Sequence, residues 1–139
     1  MTQEDKDLLL KDLSARVPYG VKYMKYSWGY DLDQEIPEVE VLECIDKNGY
    51  INYTKVYMIN DIKPYLFPFE SMSEEQRKEY ESLCIKEASN CTDLYDIVFT
   101  KDYFYNTVES IDYLYKNHID IRGFIPMGLA LDATGKNIY

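Results

Sequence analysis

The chain contains a single histidine, His118, so any Ser-His-Asp or Cys-His arrangement must pass through it. Asp112 and Asp120 lie close enough in sequence to make it a general acid or base, which defines a hydrolase reading. The plainer reading is a histidine at the C-terminal end of a helix, where the dipole favours a cation. Zinc would need Cys44, Cys84, Cys91 and His118. Cys84 and Cys91 fall on one helical face, but structural zinc ligands come in closer pairs than this. An odd set of three cysteines without a CxxC fits free, largely buried thiols in a reducing compartment. Asp31, Asp33 and Glu35 begin like a calcium loop, but Ile36 stands where the loop needs glycine and Leu42 where it needs a bidentate glutamate. Around Gly135-Lys136 a phosphate loop fails at Ala130 and Asn137, and no GxGxxG occurs. The sequence therefore offers no catalytic residue, metal set or cofactor motif, and we expect a protein that is not an enzyme.

What remains is binding chemistry. Fifteen of the chain's aromatic residues are tyrosines, and tyrosine combines large contact area, few rotatable bonds and a hydroxyl, which enriches it at interfaces. Many of these rings would equally suit strand faces and half-buried edges. Between Lys25 and Lys47 the charged residues are all acidic: the run Asp31, Asp33, Glu35, Glu38, Glu40 and Glu43, and then Asp46. A Tyr-rich, acidic contact surface made of Tyr23, Tyr26, Trp28, Tyr30, Tyr53, Asp31, Asp33 and Glu35 is the candidate protein-binding site. The same acidic run, residues 31–43, could instead imitate a phosphate backbone and occupy a nucleic-acid-binding protein.

Charge limits the partners. The chain has 25 acidic and 15 basic residues, a formal charge of −10 divided evenly between residues 1–72 and 73–139. Direct nucleic-acid binding draws on Lys and Arg neutralising phosphates, so it is not expected. Anionic membrane surfaces are disfavoured for the same reason. A small anionic ligand, such as a nucleotide signal sequestered by a counter-defence protein, would need Lys22, Lys63 and Arg122 to converge. No run is long and apolar enough for a membrane span, and Glu4, Asp5 and Asp7 do not fit a signal peptide, so a cytoplasmic protein is expected.

The elements that must position these residues read as one α+β domain. Thr2 caps an amphipathic helix over 3–15, with Leu9, Leu10, Leu13 and Val17 on its apolar stripe, and Pro18 stops it. Alternation predicts strands over Val21–Trp28 and Glu38–Ile45, with Asn48-Gly49 as a hairpin signal and Tyr50–Ile59 as the returning strand. The expected closure is a small antiparallel sheet or an SH3-like partial barrel across 21–61. Pro64 and Pro68 then force an extended strap over 62–72 that carries Tyr65, Leu66, Phe67 and Phe69, a possible fourth strand. Ser73 with Gln76 opens a helix expected to run from 74 to about 90, and Asn106 with Glu109 opens another, to about Asn117. Between them a short strand is expected over Asp96–Thr100. The segment 73–139 is thus a helical half of two to three helices, with a C-terminus expected to fray.

Three blocks, Leu8–Lys22 (LLLKDLSARVPYGVK), Asp61–Tyr80 (DIKPYLFPFESMSEEQRKEY) and Ile111–Tyr139 (IDYLYKNHIDIRGFIPMGLALDATGKNIY), resemble an uncharacterised family of small acidic proteins found in gut Bacteroidales genomes and in their phages and mobile elements. The resemblance covers a little under half the chain and carries no catalytic pattern. It implies a context rather than an activity. The expectation that joins it to the residues is a non-enzymatic binding protein of phage or mobile-element origin that engages a host protein.

Overall fold

The computed structural model describes residues 1–28, 35–54, 57–86 and 104–139, with backbone alone for 26–28, 35–37, 86, 104 and 105. Helix α1 (Gln3–Arg16) starts where Thr2 and Asp5 satisfy each other's backbone amides in a capping box, at 3.0 and 3.1 Å. These hydrogen bonds to Thr2 hold the Asp5 carboxyl below the usual carboxylate range. The buried stripe of α1 is not wholly apolar: Leu9 and Leu13 alternate with Asp12 and Arg16, all inaccessible to solvent.

After a 3-10 turn at Val17–Tyr19 the chain enters β1 (Lys22–Trp28), which pairs antiparallel with β2 (Glu35–Val41), Lys22 opposite Val41 and Trp28 opposite Glu35. The third strand is not the expected run Tyr50–Ile59. The turn at Asp46–Gly49 does form, with the Gly49 amide donating to the Asp46 carbonyl and the Asp46 carboxylate accepting from the Asn48 and Tyr50 amides. Beyond it, however, the described residues form only single antiparallel bridges, Ile45 with Ile51 and Tyr50 with Met58. Asn52 and Tyr53 adopt left-handed backbone angles, φ 48° and 59°, and bend the chain before a ladder can extend.

The strap itself supplies the missing strand. β3 (Ile62–Leu66) lies against β1 with Tyr23 opposite Pro64, and β6 (Leu131–Asp132) lies parallel to β3 on its other side. The sheet order is β2-β1-β3-β6, so it is mixed and open, not an antiparallel SH3-like barrel. A parallel partner from the far end of the chain cannot be inferred from local hairpin logic, which favours antiparallel neighbours. The α+β class stands.

α2 (Glu74–Leu83) begins at the Ser73–Gln76 capping box but ends at Cys84, well short of the expected boundary, and gives way to β4 (Ile85–Lys86), which pairs with β5 (Phe104–Tyr105). The expected strand Asp96–Thr100 and Cys91 lie outside the described residues. α3 (Val108–Lys116) is capped by Thr107 with Ser110, one residue later than the expected Asn106 and Glu109. No helix among the described residues is long and apolar enough to cross a membrane.

Two apolar clusters result. One gathers Leu9, Leu13, Val21, Tyr23, Ile51, Ile62, Leu66 and Phe124, and the other gathers Met72, Tyr80, Leu114 and Ile119 with Phe67 against them. Successive strap residues, Leu66 and Phe67, thus serve different clusters. Phe67 is tied in by backbone bonds with His118 and Asp120, at 2.9 and 2.8 Å. The ion pair of α1 joins the clusters from below: Arg16 Nε donates to Asp12 Oδ2 at 2.6 Å and Arg16 Nη2 to the Ile119 carbonyl at 2.7 Å. The C-terminal segment, expected to fray, is anchored. Tyr139 donates its hydroxyl to the Tyr65 carbonyl at 2.8 Å and accepts from the Lys22 amide at 2.9 Å.

Candidate functional site

The residues expected to form a contact surface are divided by the fold. Tyr23 does not belong to such a surface, because the alternation of β1 turns its ring into the core, where it is 1% exposed. Its hydroxyl donates to Glu40 Oε2 at 2.7 Å, and Lys25 Nζ lies 2.6 Å from Glu40 Oε1 and 4.8 Å from the centroid of the Tyr57 ring. Burial first, then the carboxylate beside it, raises the Tyr23 hydroxyl well above the usual phenol range. The same contacts act in reverse on their partners. Lys25, and after it Tyr23, hold Glu40 below the usual carboxylate range, and Glu40 raises Lys25. Glu40 is therefore ionised and compensated. Tyr26, Trp28 and Glu35 fall on the strand positions of β1 and β2. Tyr30, Asp31 and Asp33 lie outside the described residues.

Tyr53 is the expected contact residue that the fold displays. It is 88% exposed, on a backbone at φ 59° that costs a non-glycine residue roughly 1–2 kcal/mol. The neighbour before it explains how that conformation is held. Asn52 Nδ2 donates to the Val41 carbonyl at 2.9 Å and to the Tyr23 hydroxyl at 3.1 Å, while its Oδ1 accepts from the Glu43 and Cys44 amides at 2.8 and 3.4 Å. A short polar side chain thus fastens the turn to the end of β2 and directs the following aromatic outward. Such strain persists only where surrounding structure over-determines it, and it clusters at functional positions.

Beside Tyr53 runs the outer edge of the sheet. β2 is the last strand in the order, and among the described residues the one strand paired with it is β1. On the face opposite Tyr23 it presents Val39 and Val41, 48% and 41% exposed, across from Met24 and Lys22. Glu38, Glu40 and Glu43 flank them. An open edge with unpaired N–H and C=O groups is a template for another extended chain. Sequence reasoning pointed to Tyr53 and the acidic run but missed Val39, Val41 and Asn52. Asn is enriched at left-handed positions, and Asn52-Tyr53 four residues after Asn48-Gly49 is the signal that a second turn, not a strand, follows.

His118 is not a cationic helix cap. It follows α3 with φ 59° and is buried, and burial first, then the positive charges of Arg16 and Lys22, lower its pKa to about 4. The imidazole is neutral. Asp120 is no general-base partner for it, since its two carboxylate oxygens accept the Phe124 and Ile125 amides. Lys22, Lys63 and Arg122 do not converge: Lys22 Nζ donates to the Ile138 carbonyl, Arg122 lies 3.4 Å from Asp12, and Lys63 is exposed on β3. Among the described residues no group of three or more His, Cys, Asp or Glu side chains is gathered to hold a metal ion. Cys84 instead packs in the second cluster, its thiol donating to the Tyr80 carbonyl.

Comparison of the chain with protein-family models, curated proteins and solved structures finds no match.

Proposed function

We propose that the protein is a non-enzymatic binding protein that takes an extended, Lys- or Arg-bearing segment of a partner protein along the β2 edge, with Tyr53 as the aromatic anchor. The observation that carries this reading is Tyr53 itself, almost fully exposed on a left-handed backbone that Asn52 locks to the end of the open strand. Edge addition supplies main-chain hydrogen bonds, and side chains alternating along the strand supply selectivity. Val39 and Val41 offer the apolar positions. Glu38 and Glu40 already share Lys25, so Glu43 and the chain's net charge of −10 select a basic partner and steer its approach. The sequence resemblance supplies the context: a phage or mobile-element protein acting on a host protein in the cytoplasm.

The test uses soluble ten-residue peptides of alternating Val/Thr with Lys, and matched peptides with Glu in place of Lys, titrated into isotope-labelled protein. The Lys series should shift the amides of 38–43 and 52–54, and Tyr53→Ala should weaken it by about tenfold or more, as truncating an interface anchor does. Shifts that map away from β2, or equal response to both series, would refute the reading. Tyr53 is exposed, so loss of binding in the variant cannot be ascribed to loss of core packing.

A further inference from the structure

The end of α3, the strap, α2 and the C-terminal segment line a half-open cavity of about 320 Å³. Its walls include Phe67, Gln76, Lys116, His118, Thr134 and Tyr139. Three of these are flat rings. Tyr139 stacks on His118 with centroids 3.8 Å apart and planes 10° from parallel, and Phe67 stands 5.9 Å from Tyr139, tilted by 47°. The stack is fixed from behind by the Tyr139 hydroxyl, bonded to Tyr65 and Lys22, while 43% of the residue stays open to solvent.

The polar lining is one-sided. Among the described residues no Asp or Glu lines the cavity, although the chain carries 25 of them. Lys116 sits at its edge with no ion-pair partner among the described residues. Gln76 gives its Oε1 to the Ser73 amide, which leaves its NH₂ as a donor, and Thr134 adds a hydroxyl. Burial first, then Arg16 and Lys22, oppose protonation of His118 at the inner wall. His118 is 8% exposed and its Nδ1 has no hydrogen-bond partner.

We infer that this cavity binds a small aromatic anion: a planar ring bearing one carboxylate or phosphate, with the ring against Tyr139 and Phe67 and the charge directed to Lys116. The volume is at the small end of ligand sites, enough for one ring and one acidic group. Ring faces accept a planar ligand in offset or tilted stacking. An ammonium with no ion-pair partner among the described residues, on a wall to which those residues bring no Asp or Glu side chain, attracts an anion that the rest of this acidic surface repels.

The test is calorimetry on the intact chain with benzoate and phenyl phosphate as probes, against benzamide, benzylamine and inorganic phosphate. At least one aromatic anion should bind saturably below about 10 mM, and about tenfold more tightly than benzamide, benzylamine or phosphate alone. Lys116→Glu, at an exposed and unpaired position, should weaken that anion by about tenfold or more while lowering the thermal midpoint of the free protein only slightly, through loss of the cation at the C-terminal turn of α3. No saturation with either anion, equal affinity for benzamide, or an unchanged affinity in Lys116→Glu would overturn the assignment, and phosphate binding as tightly as phenyl phosphate would overturn its aromatic part. The inference is independent of the β2 edge, and Tyr53→Ala should leave anion binding as it is.

Discussion

Asp12 and Arg16 are both fully buried and sit one helical turn apart, joined at 2.6 and 3.3 Å. Removing one partner leaves the other charge without compensation, whereas removing both discards the ions together with their desolvation cost. Asp12→Ala strands the Arg16 guanidinium with the Ile119 carbonyl and the Tyr115 ring, 4.8 Å from its carbon, as its remaining partners. The expected loss is about 3–5 kcal/mol, a large part of the roughly 5–15 kcal/mol that holds a domain together. Arg16→Met is the milder change, because Arg122 lies 3.4 Å from Asp12 with a side chain 30% exposed and can follow the stranded carboxylate. The double variant Asp12→Leu, Arg16→Met removes both charges but also the Arg16 bond to Ile119, a charge-assisted bond of about 1.5–3 kcal/mol. It should therefore lose no more than about 2 kcal/mol, less than Asp12→Ala alone. Urea unfolding followed by circular dichroism measures all three. If Asp12→Ala costs under about 1 kcal/mol, or the double variant costs the sum of the singles, the pair is not the uncompensated-charge switch described here.

Other consequences can be measured on the same material. Between pH 6.5 and about 4 the unfolded chain takes up a proton at His118 that the folded chain refuses, so stability falls as pH falls through this window. The loss should reach about 3 kcal/mol at most; His118→Asn, which suits the left-handed backbone, should flatten the difference between unfolding at pH 7 and pH 4.5. Tyr53→Gly relieves a left-handed aromatic at a position with little to lose in burial, and after the entropy cost of glycine should raise stability by about 0.5–1 kcal/mol, seen as a thermal midpoint some 2–3 °C higher. A lower midpoint would show that Tyr53 packs rather than strains. Gly49→Ala should do the opposite: at φ 88° a new Cβ would stand 3.4 Å from Ile59, so a loss of about 1–2 kcal/mol is expected in urea unfolding.

The parts of the fold legible in the sequence were those written locally. Thr2 with Asp5 and Ser73 with Gln76 are short-range signals, and α1 and α2 begin where they say. Pro64 announced an extended strap, although not that the strap would sit inside the sheet with Tyr23 across from it. What failed was written at long range. Leu131 and Asp132 have no strand signature of their own and become a strand because Tyr65 and Leu66 are there to pair with them. Tyr50–Ile59 has every local mark of a strand and is bent out of one by Asn52, whose side chain finds its partners on Val41 at the end of β2, on Glu43 and Cys44 just beyond it, and on Tyr23 of β1. At the candidate site Tyr53 was visible as a tyrosine in a polar setting, but alternation alone should have withdrawn Tyr23, which shares its face with the apolar Val21.

The anchoring of α1 to residues far along the chain has a consequence for how the protein is made. Arg16 finds the Ile119 carbonyl across a separation of 103 residues, and Lys22 finds Ile138 across 116. At about 5–20 residues per second of synthesis, the first helix waits for several seconds with its ionic face uncovered. Contacts of such separation also slow the search once the chain is free. Until Ile119 arrives, the Asp12–Arg16 stripe makes α1 a poor hydrophobic target, less prone than an all-leucine helix to settle against the wrong surface. The same two charges that burden the finished core would keep the nascent helix soluble while it waits for its partner.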